Sequence, residues 1–295
     1  MPGPSAETIW SARQAGLECA VIRLRECERA APRARNPVEV SVTEIDLSGR
    51  ICVVTGGSGE LGRVICRTLA TSGARVAVHY HRGRDRAEAV VREIRASGRD
   101  AMLAQADVTR ADDVVRMRDE IRTELGAANV IVNNAVIQYG WRPVLDQPVQ
   151  DYVSQFESCV LHNLHMAQAF VPAMIEQGFG RVIGINTECA MQCFETQSAY
   201  AAAKRGMDGL LRVLAKEVGE HGITVNQVAP GWMISDRYRT AGTERQPDYE
   251  QAVPLKRRGT DQDVANAVLF LASDLADFIT GAYLPVCGGN VMPAI

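Results

Sequence analysis

The sequence predicts a doubly wound α/β fold, a single domain built on a parallel sheet of about seven strands with helices on both faces. Three observations predict it. From Leu47 onward, short apolar runs of strand length alternate with longer stretches of helical periodicity. The strand-like runs are mostly apolar rather than alternating, as strands covered on both faces are. The first of them, ICVVT at 51–55, runs straight into a glycine-rich turn, GGSGELG at 56–62, and then into an amphipathic stretch. That order is the strand–turn–helix unit of a dinucleotide site.

Residues 1–46 read as an N-terminal extension, either helical or disordered. Within it, residues 7–28 suit an amphipathic helix with Ile9, Leu17, Val21 and Leu24 loosely on one face, followed by the linker-like APRARNP. Strands are expected at 51–55, 75–80, 101–106, 130–133, 181–185, 224–229 and 282–286. The clearest helix runs from Ser198 to His221, where Ala203, Met207, Leu210, Leu211, Leu214 and Val218 recur at helical spacing. Thr109 with Asp112 is expected to cap the helix after the third strand. No second composition regime interrupts 47–295, so this span reads as one catalytic domain with a substrate lobe around 234–258.

Composition narrows the function classes. Hydrophobic residues at 46% and charged residues at 23% describe a globular chain with an ample core. A net charge of −3 argues against a nucleic-acid partner, and no apolar run is long enough to span a bilayer. The first thirty residues lack a basic segment followed by an apolar one, and Glu7, Glu18, Glu26 and Glu28 speak against a transit peptide; a cytoplasmic address is expected. Eight cysteines without a C-x-x-C pair read as reduced thiols. No metal site is expected: Cys189 and Cys193 lack a second ligand pair, and His162 and His165 lack a third ligand at sensible spacing.

The glycines of the turn stand at 56, 57, 59 and 62, with Glu60 among them. A helix beginning there offers free N–H groups and a dipole to an anion. Three further segments follow at suitable spacing: AQADVT at 104–109, VNNA at 132–135 and YAAAK at 200–204. Together these resemble the short-chain dehydrogenase/reductase family over roughly residues 47–291. The chain departs from the TGxxxGxG pattern of single-domain members because Glu60 replaces the second glycine. It fits TGxxGxxG instead, through Thr55, Gly56, Gly59 and Gly62. In that spacing Gly59 makes the close approach and the Glu60 side chain is expected to point away.

The resemblance implies a Rossmann-type fold and a nicotinamide nucleotide. It implies a diphosphate held at Gly56, Ser58, Gly59, Glu60, Leu61 and Gly62, an adenine flanked by Asp107 and Val108, and a nucleotide lined by Asn134 and Ala135. Pro230, Gly231, Met233 and Ser235 are implied at the nicotinamide end. Asp107 has a second reading as a turn or capping residue, and Val136 stands where the family commonly has glycine.

Cofactor choice rests on the end of the second strand, VHYHRGRDR at 78–86. An acid there would accept the ribose hydroxyls of NAD, whereas arginine accommodates the extra phosphate of NADP. No acid ends the strand, and His81, Arg82 and Arg84 follow. NADP(H) is therefore expected, with NAD(H) as the alternative.

Tyr200 and Lys204 lie one helical turn apart on one face. A phenol titrates near pH ~10, and a neighbouring ammonium is expected to lower it toward working range. Such a pair can move a proton to or from a carbinol oxygen. Thr187, thirteen positions before Tyr200, stands where the family usually has serine and is implied to position the carbonyl. The family's fourth catalytic residue, an asparagine, falls on Cys159, and Asn163 lies a turn further on. A thiol is a weak donor and acceptor, which puts the ordinary water relay in doubt.

The mouth of the site reads as polar: Gln138, Tyr139, Trp141 and Arg142 follow the fourth strand, and Glu188, Gln192 and Glu195 follow the fifth. The leading expectation is an NADP(H)-dependent oxidoreductase acting on a carbonyl/secondary alcohol pair of a polar small molecule. One alternative keeps the nucleotide without net redox and uses Tyr200 and Glu188 as acid and base in a lyase, isomerase or cyclase. The other is a nucleotide sensor without chemistry. The apolar helices around 150–177 and 198–220 imply a homodimer or homotetramer.

Overall fold

The computed structural model describes residues 44–292. The expectation of a helix over 7–28 lies outside the described residues. The chain divides into residues 1–44 and 45–295, and the second unit carries the sheet.

All seven expected strands form. In chain order the elements are β1 (Ile51–Val54), α1 (Glu60–Thr71), β2 (Arg75–Tyr80), α2 (Arg84–Ala96), β3 (Ala101–Gln105), α3 (Ala111–Glu124) and β4 (Val130–Asn133). There follow α4 (Val149–Phe156), a π-turn (Glu157–Leu161), α5 (His162–Gln177), β5 (Gly180–Ile185), the short α6 (Cys189–Gln192), α7 (Ser198–Val218) and β6 (Ile223–Pro230). The lobe contributes α8 (Asp236–Ala241) and α9 (Pro247–Ala252), and α10 (Asp261–Ala272) and β7 (Tyr283–Val286) close the fold. The sheet order is β3-β2-β1-β4-β5-β6-β7, parallel throughout. Strand order reverses between β1 and β4, so the crevice for a ligand opens at their carboxyl ends.

Two apolar layers cover the sheet. On one face α1, α2 and α10 deliver Ile65, Leu69, Val90, Ile94, Val264 and Val268. On the other, α3, α5 and α7 deliver Met117, Ile121, Met166, Phe170, Met207 and Leu211. Each such side chain, fully buried, contributes about 1.5–3 kcal/mol. This two-sided cover is why the strands read as mostly apolar runs.

Two local features differ from expectation. The Thr109–Asp112 cap does not form. Arg110 takes the N-cap position of α3 without a side-chain bond, while Thr109 donates from N (3.0 Å) and Oγ1 (2.7 Å) to Asp107 Oδ1. A carboxylate two residues upstream reaches both donors, so Asp107 itself builds the turn. The second feature is the π-turn between α4 and α5, where the His162 N–H reaches back to the Glu157 carbonyl. Side chains one turn on reach two of its carbonyls. His162 Nδ1 meets Ser158 O at 3.1 Å, and Asn163 Nδ2 donates to Cys159 O at 2.6 Å. Inserted turns of this kind recur at functional sites.

Candidate active site

One cleft of roughly 1000 Å³ opens at the switch point and runs from the ends of β1–β3 to the start of α7. Its floor begins with the glycine-rich turn. Gly56 adopts φ +64°, in the left-handed region, and donates its N–H to His79 Nδ1 at 2.9 Å. The other ring nitrogen, Nε2, faces Ala106 O at 3.1 Å and so carries the proton. Burial holds His79 neutral, with its pKa brought down to about 4. The Thr55 hydroxyl accepts from the N–H groups of Asn134 (2.8 Å) and Ala135 (3.1 Å), and Asn134 Nδ2 donates to Thr55 O at 2.9 Å. The turns after β1 and β4 are thereby locked together.

Gly62 lies where no side chain fits: a Cβ there would stand 2.1 Å from Gly56 O. Gly59 is the N-cap of α1 and makes no side-chain cap, so the first-turn N–H groups remain free to receive an anion. Glu60, the first residue of α1, is exposed to solvent, lines the cleft and is one of the charges that raise the Asp261 carboxyl. The turn therefore keeps free N–H groups at the start of α1 despite the acid in its sequence.

At the far end, Arg82, Gly83, Arg86, Asp107 and Val108 line the cleft together. Arg84 does not join them. It is exposed and paired with Glu88 at 2.7 Å along α2. Arg86, half a turn beyond, folds back over Gly83, where a Cβ would lie 2.8 Å from its Nη2. The second arginine of this end is thus Arg86, an assignment set by helix phase.

Thr187, Tyr200 and Lys204 meet at the other end. Tyr200 is fixed by the start of α7: Tyr139 Oη accepts from its backbone N–H at 3.0 Å, and Tyr152 Oη meets Ser198 Oγ at 2.7 Å. The Thr187 hydroxyl accepts from Cys189 N at 3.2 Å, and Tyr283 donates to the Thr187 carbonyl at 2.5 Å. Lys204 is buried, with Nζ donating to Ile185 O at 2.5 Å and lying 5.7 Å from the centroid of the Tyr200 ring. The expected lowering of the phenol is not present in this state. Burial pushes Tyr200 up, the Cys159 and Cys189 thiols add to the rise, and Thr187 opposes it. The phenol is held protonated, ready to donate.

Cys159 is buried beside this centre, while its neighbour Ser158 is the residue that lines the cleft. Asn163 does not offer a free amide to this centre. Both ends of its side chain are engaged, Nδ2 on Cys159 O and Oδ1 accepting from Asn133 Nδ2 at 2.7 Å.

The mouth is less polar than the sequence implies. Gln138 lines the cleft, but Glu188 turns away, accepting from Tyr249 Oη (2.9 Å) and Asn290 Nδ2 (3.0 Å). Burial raises its carboxyl. The acid–base alternative built on Glu188 therefore lacks its base in the cleft. Pro230 and Gly231 line the cleft as expected; Met233 and Ser235 do not. The Met233 thioether packs where a Cβ on Gly259 would lie at 2.7 Å, and Ser235 occupies the N-cap of α8. Buried Arg258 fixes this stretch by donating to the carbonyls of Trp232 (3.1 Å), Met233 (2.6 Å) and Glu244 (2.9 Å). Residues that the motifs did not single out include His79, Arg86, Ser158 and Arg237, and of these only Arg86 left a sequence signal, one more arginine in a basic run.

A doubly wound sheet with an open helix N-terminus at its switch point and a tyrosine–lysine pair one strand away defines a nicotinamide-dependent oxidoreductase site. A protein-family model described as Enoyl-(Acyl carrier protein) reductase matches residues 58–290. The 3-oxoacyl-[acyl-carrier-protein] reductase FabG of Staphylococcus epidermidis is 37% identical over 240 residues, covering 81% of this chain and 98% of that protein. A gluconate 5-dehydrogenase from Burkholderia cenocepacia J2315, solved with NADP and tartrate, superposes with a TM-score of 0.77 at 28% identity, over 84% of this chain and 97% of that one. A 7α-hydroxysteroid dehydrogenase, solved with NADH and 7-oxo glycochenodeoxycholic acid, gives a TM-score of 0.77 at 32% identity, over 85% and 97%. The chain belongs to the short-chain dehydrogenase/reductase family. It is an NAD(P)-dependent oxidoreductase acting on hydroxyl and carbonyl groups.

Proposed function

We propose that the protein interconverts a carbonyl and a secondary alcohol on a polar small molecule with NADP(H) as cofactor. The observation that carries this reading is the composition of one cleft. Arg82 and Arg86 stand at one end without an acid closing β2, and Thr187, Tyr200 and Lys204 stand at the other. Both NADP and NADH accompany structural relatives, so the choice rests on the two arginines.

In this reading the N–H groups at the start of α1 and the turn 56–62 hold the diphosphate. Asp107 and Val108 flank the adenine, Asn134 and Ala135 line the nucleotide, and Pro230 and Gly231 wall the nicotinamide end. Bound nicotinamide supplies or accepts the hydride. Tyr200 donates the proton to the carbonyl oxygen, Thr187 orients that oxygen, and Lys204 leaves Ile185 O to hold the ribose and favour the phenolate after transfer. Oligomerisation through an apolar face suits this reading. Val149, Val153 and Phe156 form an exposed stripe on α4, and exposed Leu145 precedes it. A homodimer or homotetramer and a cytoplasmic address complete the proposal.

The test is an absorbance screen at 340 nm with NADPH and NADP⁺ against sugars, polyols, oxo acids and cyclic ketones. Turnover with NADPH in preference to NADH is the expected result. Tight NADPH binding with no turnover across the panel would favour a sensor.

A further inference from the structure

Arg237 stands apart from the other arginines around the lobe. Arg63 of α1 pairs with Asp236, and Arg239 pairs with the same carboxylate at 2.6 Å. Arg245 pairs with Glu250 at 2.8 Å, and Arg258 is buried among carbonyls. Arg237 has no carboxylate within 4 Å among the described residues. Among the described residues its one side-chain hydrogen bond, 3.4 Å long, goes to the Tyr238 hydroxyl, and its guanidinium lies 5.2 Å from that ring. Yet Arg237 lines the cleft.

Its position says which part of a ligand it meets. Arg237 sits in the first turn of α8, six residues beyond Gly231, at the end of β6. β6 lies beside β5, whose end carries Thr187. The remaining side chains at this end are neutral or engaged: Gln138, Thr187 and Tyr200 carry no charge, and the Lys204 ammonium is held by Ile185 O at 2.5 Å. The other cleft arginines, Arg82 and Arg86, stand at the far end beyond β2. The diphosphate already has the open N-terminus of α1.

We infer that Arg237 reads a carboxylate on the substrate, so that the substrate class is an oxo acid or hydroxy acid. A guanidinium presents paired N–H groups that match the two oxygens of a carboxylate, and such charge-assisted bonds gain specificity from that geometry. The inference rests on the reading of this cleft as a redox site for a polar small molecule.

The experiment uses the full chain loaded with NADP⁺. Calorimetric titrations compare pyruvate, acetoacetate and levulinate with their methyl esters, in the parent and in Arg237→Gln. In the parent the best oxo acid should bind at least tenfold tighter than its ester. Arg237→Gln should erase that preference, Arg237→Lys should restore part of it, and NADP⁺ affinity should stay within twofold. Three results overturn the inference: no acid-over-ester preference in the parent, a preference that survives in Arg237→Gln, or a loss of NADP⁺ affinity of tenfold or more in that variant. The last would assign the guanidinium to the cofactor diphosphate. Failure of the parent to bind NADP⁺ or NADPH would sink the redox reading instead. The same titrations on the nucleotide-free chain would then decide the Arg237 site by itself.

Discussion

Replacing Gly62 with alanine probes the turn proposed to hold the cofactor diphosphate. A Cβ at this position would stand 2.1 Å from Gly56 O, 2.8 Å from Gly56 C and 2.9 Å from Gly57 Cα. Ordinary contact begins near 3.4 Å, so a gap of more than an ångström must open, and every atom in the way is backbone. A side chain could rotate aside; this turn cannot, because Gly56 N is tied to His79 and Asn134 Nδ2 to Thr55 O. Overpacking a rigid site costs about 1–3 kcal/mol, and the upper end applies here. Alanine in a helix gains up to about 1 kcal/mol over glycine, which offsets part of it. A net loss of roughly 2 kcal/mol is expected. The displaced turn also carries the N–H groups proposed to hold the diphosphate, so NADPH affinity should fall with stability. Gly209→Ala supplies the control, since that exposed glycine of α7 has nothing within 4 Å of its Cβ position. It should stabilise the protein by up to about 1 kcal/mol. Urea unfolding at constant slope measures both, with NADPH fluorescence for binding. A Gly62→Ala protein within about 0.5 kcal/mol of the parent and binding NADPH normally would refute the reasoning.

Three further outcomes are expected. Arg82→Ala with Arg86→Ala should weaken NADPH by roughly 1–3 kcal/mol and leave NADH little changed, while Arg84→Ala does neither; calorimetry that finds NADH the tighter ligand of the parent contradicts the assignment. Burial lowers His79 to about 4 and His162 to about 3, whereas both titrate near ~6.5 when unfolded. Below pH ~6.5 the unfolded chain binds more protons, so stability held at neutrality drains as pH falls toward those values, by up to about 1.4 kcal/mol per pH unit for each histidine. Urea melts at pH 7 and 5 read this, and a His79→Gln protein with an undiminished acid slope would contradict it. Cys159→Ala should cost less than about tenfold in kcat, about 1.4 kcal/mol of barrier, because the buried thiol carries no relay. Rapid labelling of Cys159 with loss of activity would make the cysteine a participant.

The strands were legible because each is largely apolar, and their bounds shift by only a residue; Thr55, for instance, leaves β1 to tie two turns together. The glycine-rich turn was legible because its spacing reports a steric fact, the lack of room for a Cβ at Gly62. What escaped depends on phase and on tertiary contact. Arg84 and Arg86 look alike in a basic run, and only the start of α2 decides which one faces the cleft. The π-turn leaves no periodic trace, since it is completed by the side chains of His162 and Asn163. Glu188 reads as a mouth residue until Tyr249 and Asn290, far along the chain, claim its two oxygens. His79 hides as one polar residue in a strand, and its role appears only when Gly56 comes within reach.

The decisive measurement is the turnover of Tyr200→Phe with NADPH and the best carbonyl from the screen. Phenylalanine keeps the ring and removes the hydroxyl that carries the transferable proton. General acid catalysis contributes about 10²–10⁴-fold, so kcat should fall by that factor while NADPH affinity stays within twofold of the parent. Turnover at the parent rate would contradict Tyr200 as proton donor and, with it, the redox mechanism proposed for this cleft.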